Sequence, residues 1–565
     1  MTDMKKLRIG ILGNFTLNGI DEMFKEICLD KNIDCETYTC GYNQYNQDIL
    51  NKDSSYYKFK PELTFLILDA RHILGDLFFD SYKITSFERS EFIEKKVDEL
   101  FKIVKTIITN SDSKVVLSNF QYPTYSPYGI NDSKKELGLK EIIENINIKI
   151  RDRIKKEKSI FIFDFNGFVT KYGEVNIFNF QQYFSGDIKI AIRYTKEFVN
   201  ELMQFVVAHL GITKKCIVLD LDNTLWGGII GEDGFEGIKL GDEPIGRSFV
   251  EFQKRLLALS NRGVILAINS RNNFEDAIRV IREHPNMILK ENDFSCVKIN
   301  WKNKPLNLRE ISKELNIGLD SIVFFDDDPI NRELVKKELP EVSVIDLPSD
   351  SSEFANKLTR MVEFEIWNMT SEDIQKKKMY QEQKQRIEYE EKIDDYEEFL
   401  KNMDIQIEIK EADDFTIPRI SQLTLKTNQF NVTTRRYQEK EIFSFSQDKN
   451  SVIQCAKVKD KFGDNGITGV YIIKKDEKEW IIDTFLLSCR IIGRGVENAL
   501  LSEIIKRAKK EGIKKVKGVF IPTKKNKPAE KFFEEFGFKK ENEYWVFDTE
   551  QTIKSADHIK IIKNE

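Results

Sequence analysis

Histidine is scarce in this 565-residue chain, with only His72, His209, His284 and His558. None stands in a triad or a metal-binding spacing, so imidazole chemistry has little scope and carboxylates or a thiol must carry any reaction. Cysteine offers no staple either. The seven residues Cys28, Cys35, Cys40, Cys216, Cys296, Cys455 and Cys489 are odd in number, scattered and without a close CxxC pair, which predicts reduced thiols and no zinc site. Apolar runs long enough to cross a bilayer are absent, and the charged leader Met1 to Arg8 passes straight into Ile9 to Leu12 without secretory organisation. A cytoplasmic protein with no membrane contact is expected. No sign of charge dominates: 88 Lys and Arg against 93 Asp and Glu leave a net charge of −5, interspersed, so no global basic field invites nucleic acid.

What is present is a soluble composition, 41% hydrophobic and 32% charged, on a chain too long for one core. Apolar runs at Arg8 to Leu12, Leu63 to Leu68, Val115 to Leu117 and Ile160 to Phe163 each lead into a polar loop and a helical pattern. They predict an α/β domain over 1–205. Cys216 to Leu219, Val264 to Ile268 and Ile322 to Phe325, separated by helical stretches, predict a second α/β domain over 206–370 with a parallel sheet and ligand groups at the strand carboxyl ends. Residues 371–401 are highly charged and read as a solvated helical connector. Strands at Val452 to Val458, Val470 to Lys474 and Trp480 to Leu487, then a helix from Val496 to Lys510, predict a third α/β domain over 402–565.

The chemistry concentrates in the middle domain. Asp220-Leu221-Asp222-Asn223-Thr224 follows a buried strand, placing Asp220 as a nucleophile toward phosphorus and Asp222 as its acid/base partner. Phosphoryl oxygens need a cation and a metal ion to balance their charge. Ser270 ends the next strand, Lys304 precedes the helix Leu306 to Leu315, and Asp326 and Asp327 end the last strand. With Asp220 and Asp222 they offer the oxygen ligands magnesium prefers.

These motifs, in this order, resemble the haloacid dehalogenase superfamily and more closely its FkbH-like branch. The resemblance rests on Asp220 through Gly228, Asn300-Trp301 before Lys304, Asn307-Leu308-Arg309 and Phe325 through Pro329. It extends to Gly41 through Gln44, Lys426 through Phe430 and Ser488 through Gly495. Asp328 stands where Asn is expected and receives no metal role. Only 47 residues separate Asp222 from Ser270, too few for a large cap domain beside the helix they must also supply.

In the first domain Gly13-Asn14-Phe15 occupies the nucleophile position of the SGNH hydrolase fold, which that domain resembles; neither Asn nor Phe can act there, so docking or scaffolding is expected. In the last, Arg490-Ile491-Ile492-Gly493-Arg494-Gly495 before a helix resembles the pyrophosphate loop of GCN5-related acyltransferases (GNAT), which assigns Arg490, Gly493 and Gly495 to cofactor binding. Asn526 to Phe538 resembles a later helix and strand of that fold. Arg435-Arg436 and Lys524-Lys525 are read as solvated pairs, and Trp226, Trp301 and Trp480 as packing residues.

The FkbH-like resemblance implies a magnesium-dependent enzyme that takes an acyl phosphate, 1,3-bisphosphoglycerate, and loads a glyceryl group onto the phosphopantetheine thiol of an acyl carrier protein for polyketide or related assembly. Coenzyme A is the other thiol such a domain takes. Cys489, beside Arg490 and near a helix N-terminus, is the candidate for a transient thioester, against a packed structural cysteine. Two other functions fit the residues: a small-molecule phosphatase with structural flanks, and an acyl-CoA-dependent N-acyltransferase with a vestigial central domain.

Overall fold

The computed structural model describes residues 4–563 apart from 18, 391, 394, 477, 554 and 555. The first three residues of the charged leader and two positions of the connector therefore lie outside the described residues. The chain divides into two compact units, Met1–Leu210 and Gly211–Glu565. Among the described residues no helix is long and apolar enough to cross a membrane.

The first unit is built on five parallel strands, β1 (Lys5–Gly13), β2 (Ile33–Thr39), β3 (Leu63–Ile67), β4 (Lys114–Ser118) and β5 (Ile160–Phe163), in the order β2-β1-β3-β4-β5. Every residue of β3 and β4 is buried, as parallel strands covered on both faces must be. The main helices are α1 (Ile20–Asp30), α2 (Ser86–Asn110), α3 (Leu139–Ile154) and α4 (Thr195–Leu210). A capping box between Thr85 and Glu88 starts α2. Strand β2 escapes the sequence reading because it is an edge strand, IDCETYT, whose polar residues mask the apolar alternation.

In the second unit β6 (Cys216–Leu219), β7 (Ile265–Ser270), β8 (Phe294–Ile299), β9 (Ile322–Asp326) and β10 (Ser343–Asp346) form another parallel sheet, ordered β10-β9-β6-β7-β8. Helices α5 (Ile230–Gly237), α6 (Pro244–Asn261), α7 (Phe274–Glu283), α8 (Lys304–Glu314) and α9 (Pro329–Glu338) accompany it. Between Asp222 and Ser270 the described residues hold α5, α6 and the start of β7, with no inserted sheet.

Three further helices, α10 (Ser371–Ile374), α11 (Lys376–Glu390) and α12 (Tyr396–Asn402), lead to the last sheet. Its strands are β11 (Ile405–Glu411), β12 (Phe430–Asn431), β13 (Ser451–Asp460), β14 (Gly463–Lys475), β15 (Glu479–Leu487), β16 (Lys515–Gly518), β17 (Lys539–Glu541), β18 (Tyr544–Asp548) and β19 (Ile559–Lys563). They run in the order β17-β18-β16-β15-β14-β13-β11-β19, with β12 paired to β15. Helices α13 (Ile417–Lys426) and α14 (Val496–Lys510) are the longest of this region.

The connector is solvated on one face only. Met379, Tyr380 and Arg386 are 2%, 3% and 1% exposed, and Tyr380 joins the core beneath β6 and β9. The charge that suggested a wet helix is internalised as a pair: the Arg386 guanidinium grips both Asp460 oxygens at 2.8 Å. Composition alone cannot separate a solvated charge from one matched by a partner 74 residues away.

Candidate active site

Strand β6 delivers Asp220 to the carboxyl edge of the central sheet, where its backbone N–H donates to the Phe325 carbonyl at 2.9 Å and so stays in register with β9. Helix α8 starts at the same edge because Asn303 caps it, accepting the Leu306 N–H, with Pro305 in its first turn. That start buries Lys304, 1% exposed, with its ammonium 2.9 Å from Asp220 Oδ1, 3.0 Å from Asp326 Oδ2 and 2.8 Å from the Asn269 carbonyl. Burial opposes the charge on Lys304, but Asp220 and Asp326 outweigh it and hold the ammonium above the ordinary lysine range.

Asp220, Asp326 and Asp327 offer carboxylate oxygens all within 4.8 Å of one another. Burial raises Asp326 to about 6 and Asp327 to about 7, in the latter case with Asp220 and Asp326 adding repulsion. Beyond Lys304, the buried oxygens Asp220 Oδ1 and Asp326 Oδ2 receive no hydrogen bond. Three hard donors, mutually repelling and under-satisfied, fit a magnesium ion.

Asp222 is a correction to the four-ligand set. Its carboxylate turns away from that cluster, accepting from Trp226 Nε1 at 2.9 Å, the Ile230 N–H at 3.1 Å and Asn272 Nδ2 at 2.9 Å. Burial raises its pKa against these three donors, which suits a proton donor rather than an ion ligand. Ser270 is buried at the end of β7, and Asn272 Nδ2 also donates to its Oγ at 3.1 Å, linking it to Asp222. Asp328 caps α9 by accepting the Ile330 N–H.

Sequence reasoning overlooked an amide relay beneath Lys304. Asn269 Nδ2 donates to the Lys304 carbonyl at 3.0 Å, and Asn307 Nδ2 donates to Asn269 Oδ1 at 3.0 Å. The available signal was an Asn inside the apolar run of β7. Trp226 and Trp480 are buried as expected, but Trp301 is 66% exposed beside the site, its indole N–H 3.3 Å from Asn273 Oδ1.

The last domain meets this one at the opposite edge. Lys377 pairs with Asp293 just before β8 at 2.5 Å, Lys525 with Asp320 before β9, and Gln381 Nε2 donates to the Asn292 carbonyl at 2.9 Å. Cys489 lies on this side, in a short 3-10 turn just past the end of β15, and its carbonyl accepts from Asn316 beyond the far end of α8. At about 1.5 Å per helical residue it is on the order of 15 Å from Lys304. The structure therefore does not bring Cys489 together with Asp220, Ser270 and Lys304.

The cofactor role expected of the Arg490 side chain is also corrected. Arg490 turns inward, to Met379 Sδ at 2.9 Å and the Asn465 carbonyl at 3.1 Å. Gly493 and Gly495 both have φ of 81°, which favours glycine; Gly493 is exposed and Gly495 is buried beside His558. Tyr396 Oη donates to the Gly493 carbonyl at 2.7 Å, and His558 Nε2 lies 2.9 Å from the Arg494 carbonyl. Arg435 and Arg436 are structural too, held by Asp483 and by the Thr424 and Thr427 carbonyls, and Lys525 is paired with Asp320 rather than merely solvated.

In the first unit Asn14 is 2% exposed and closes on Asp69, accepting its N–H at 2.7 Å and donating to its carbonyl at 3.2 Å. Beside them lies a cavity of about 350 Å³ lined by aromatic residues, Arg71 and the buried Asp69–Lys189 pair.

Residues 8–207 match the family model described as FkbH, N-terminal domain, and residues 417–538 match the acetyltransferase (GNAT) family. No curated protein matches the chain. Among solved structures, the N-terminal part of the protein BF1531 from Bacteroides fragilis, containing a phosphatase domain complexed with Mg, is 29% identical with a TM-score of 0.60, covering 65% of this chain and 95% of that one. The ribosomal-protein-S18-alanine N-acetyltransferase from Escherichia coli is 15% identical with a TM-score of 0.20, covering 24% of this chain and 79% of that one. A GNAT-family acetyltransferase from Staphylococcus aureus is 13% identical with a TM-score of 0.21, covering 25% and 99%.

Proposed function

We propose that this chain is a magnesium-dependent phosphatase and acyltransferase that converts 1,3-bisphosphoglycerate, or a similar acyl phosphate, into a glyceryl thioester on an acyl carrier protein. The observation that carries it is Lys304 bridging Asp220 and Asp326 within a magnesium-compatible carboxylate cluster, on a chain that also holds a GNAT-family domain. Such a donor needs two events. A thiol attacks the acyl carbonyl and expels phosphate, and the remaining phosphate ester is hydrolysed.

The second event belongs to the carboxyl edge. Asp220 attacks phosphorus to give an aspartyl-phosphate, and Asp222 protonates the leaving oxygen. Lys304 and Ser270 hold the phosphoryl oxygens. Asp220, Asp326 and Asp327 would hold magnesium, which neutralises phosphoryl charge when bound. The first event is placed in the last domain, with Cys489 as the transient acyl acceptor, and a flexible carrier arm spans the gap between the two. A plain phosphatase is the second reading, favoured by the self-contained carboxyl edge.

Intact-protein mass spectrometry of a carrier incubated with the full chain and a bisphosphoglycerate-generating system tests the proposal. Wild type should leave glyceryl on the carrier, and Asp220→Asn should leave the phosphorylated glyceryl form. Phosphate release by wild type, with no carrier adduct from wild type or variant, would leave the phosphatase reading standing alone.

A further inference from the structure

Lys215 immediately precedes β6, at the amino edge of the central sheet. Asp373 of α10 packs beside it, its carbonyl so near Gly263 that a Cβ there would stand 2.5 Å away. Lys376 opens α11 with its ammonium 3.9 Å from Asp373. Arg419, Gln422 and Lys426 line one face of α13 at helical spacing; Gln422 Nε2 donates to Asp373 at 2.7 Å and Arg419 Nε to the Ile467 carbonyl at 3.3 Å.

Four cations thus gather at this edge with the carboxylates of Asp373 and Glu372. Among the described residues, neither Lys215 nor Lys426 has a carboxylate within 4.0 Å, and both are half-buried. Burial, then Lys426, pushes Lys376 down to about 7; burial, with Arg419 and Lys215 acting against Asp373, pushes Lys426 down to about 8. An uncompensated cluster of this kind costs stability unless an anion completes it. Cys489 is adjacent: the Ser488 N–H donates to the Thr468 carbonyl at 2.7 Å, one residue along β14 from the carbonyl that Arg419 holds.

We propose that this cluster is a phosphate-binding subsite, in which Lys215, Lys376, Arg419 and Lys426 hold the phosphate of a substrate whose other end reaches Cys489. The phosphate is either the phosphodiester of a pantetheine arm or the non-reacting phosphate of a small acyl donor. Only that choice rests on the glyceryl-loading reading; the anion site does not.

Calorimetric titration of the full chain with two probe pairs, 4′-phosphopantetheine against pantetheine and 3-phosphoglycerate against glycerate, tests this without turnover. At least one phosphorylated probe should bind tenfold or more tighter than its partner. That preference should vanish in Lys376→Met and Lys426→Met, return in Lys426→Arg, and persist in Asp220→Asn. The pair that shows it names the source of the phosphate. Thermal melts establish that the variants fold, and Lys426→Met, relieved of like charge, should melt no lower than wild type. Absence of any phosphate preference in wild type overturns the proposal, as does a preference that survives both methionine changes or is lost in Asp220→Asn. Binding can succeed while carrier loading fails, so the two ideas fall separately.

Discussion

The two edges of the central sheet are chemical opposites. At the carboxyl edge, carboxylates crowd around one buried lysine, while at the amino edge lysines and an arginine crowd around two carboxylates. Parallel strands explain how one sheet supports both. The helices packed on it start near the carboxyl edge and end near the amino edge, so free N–H groups favour anions at the first and free carbonyls favour cations at the second. From Lys215 to Asp220 the chain crosses that gradient in five residues of β-strand, about 16 Å.

The largest effect should come from removing the nucleophile at the acidic edge. Asp220→Asn is expected to abolish hydrolysis of the phosphate ester in a folded protein, and chelating magnesium should do the same; near-normal ester hydrolysis would erase the distinction between the edges. Lys304→Ala and Ser270→Ala should each lower turnover by roughly 100-fold or more if phosphoryl transfer limits the rate. Unchanged steady-state rates in both would move the phosphate elsewhere.

On the other side the expected loss is in stability. Arg386→Ala removes the bidentate partner of the buried Asp460 carboxylate, which keeps Arg494 at 3.3 Å, so the change should cost about 1.5–3 kcal/mol in chemical denaturation. A change below 1 kcal/mol would show that α11 is held by its apolar residues alone. A finer distinction comes from pH. In the metal-free protein Asp326 and Asp327 bind protons more tightly folded than unfolded, so their contribution to stability falls as pH rises from about 4 towards 7. Magnesium replaces those protons, and its thermal stabilisation should be larger at pH 8 than at pH 5.5; an equal shift would separate ion binding from these carboxylates. The smallest signal is the adduct on Cys489. Rapid quench without carrier should trap a hydroxylamine-labile acyl group that is absent in Cys489→Ser, and carrier loading by Cys489→Ser without any adduct in wild type would make transfer direct.

The acidic edge was legible in the sequence because its residues sit at strand ends and helix starts, where local pattern fixes direction. Asp220, Lys304 and Asp326 could be placed from the strand and helix reading around them. Asp222 could not be separated from the ion ligands, since its turn away depends on Trp226, Ile230 and Asn272 folding around it. The basic edge was opaque for the opposite reason: Lys215, Lys376, Arg419 and Lys426 are spread over more than 200 positions and meet only through tertiary packing. Arg490 read as an anion ligand because its neighbours in sequence are glycines, whereas its neighbours in space are Met379 and Asn465.

The connector belongs to two interiors at once. Tyr380 fills the core beneath β6, while Tyr389 and Phe399 pack into the core of the last sheet. A fragment ending at residue 370 would carry an open apolar wound where Tyr380 had been, and one starting at residue 402 would lack Phe399. Dissection along the boundaries that the composition suggests would yield sticky halves, whereas cleavage near Leu210, where the chain divides into its two compact units, is the cut that should leave soluble pieces.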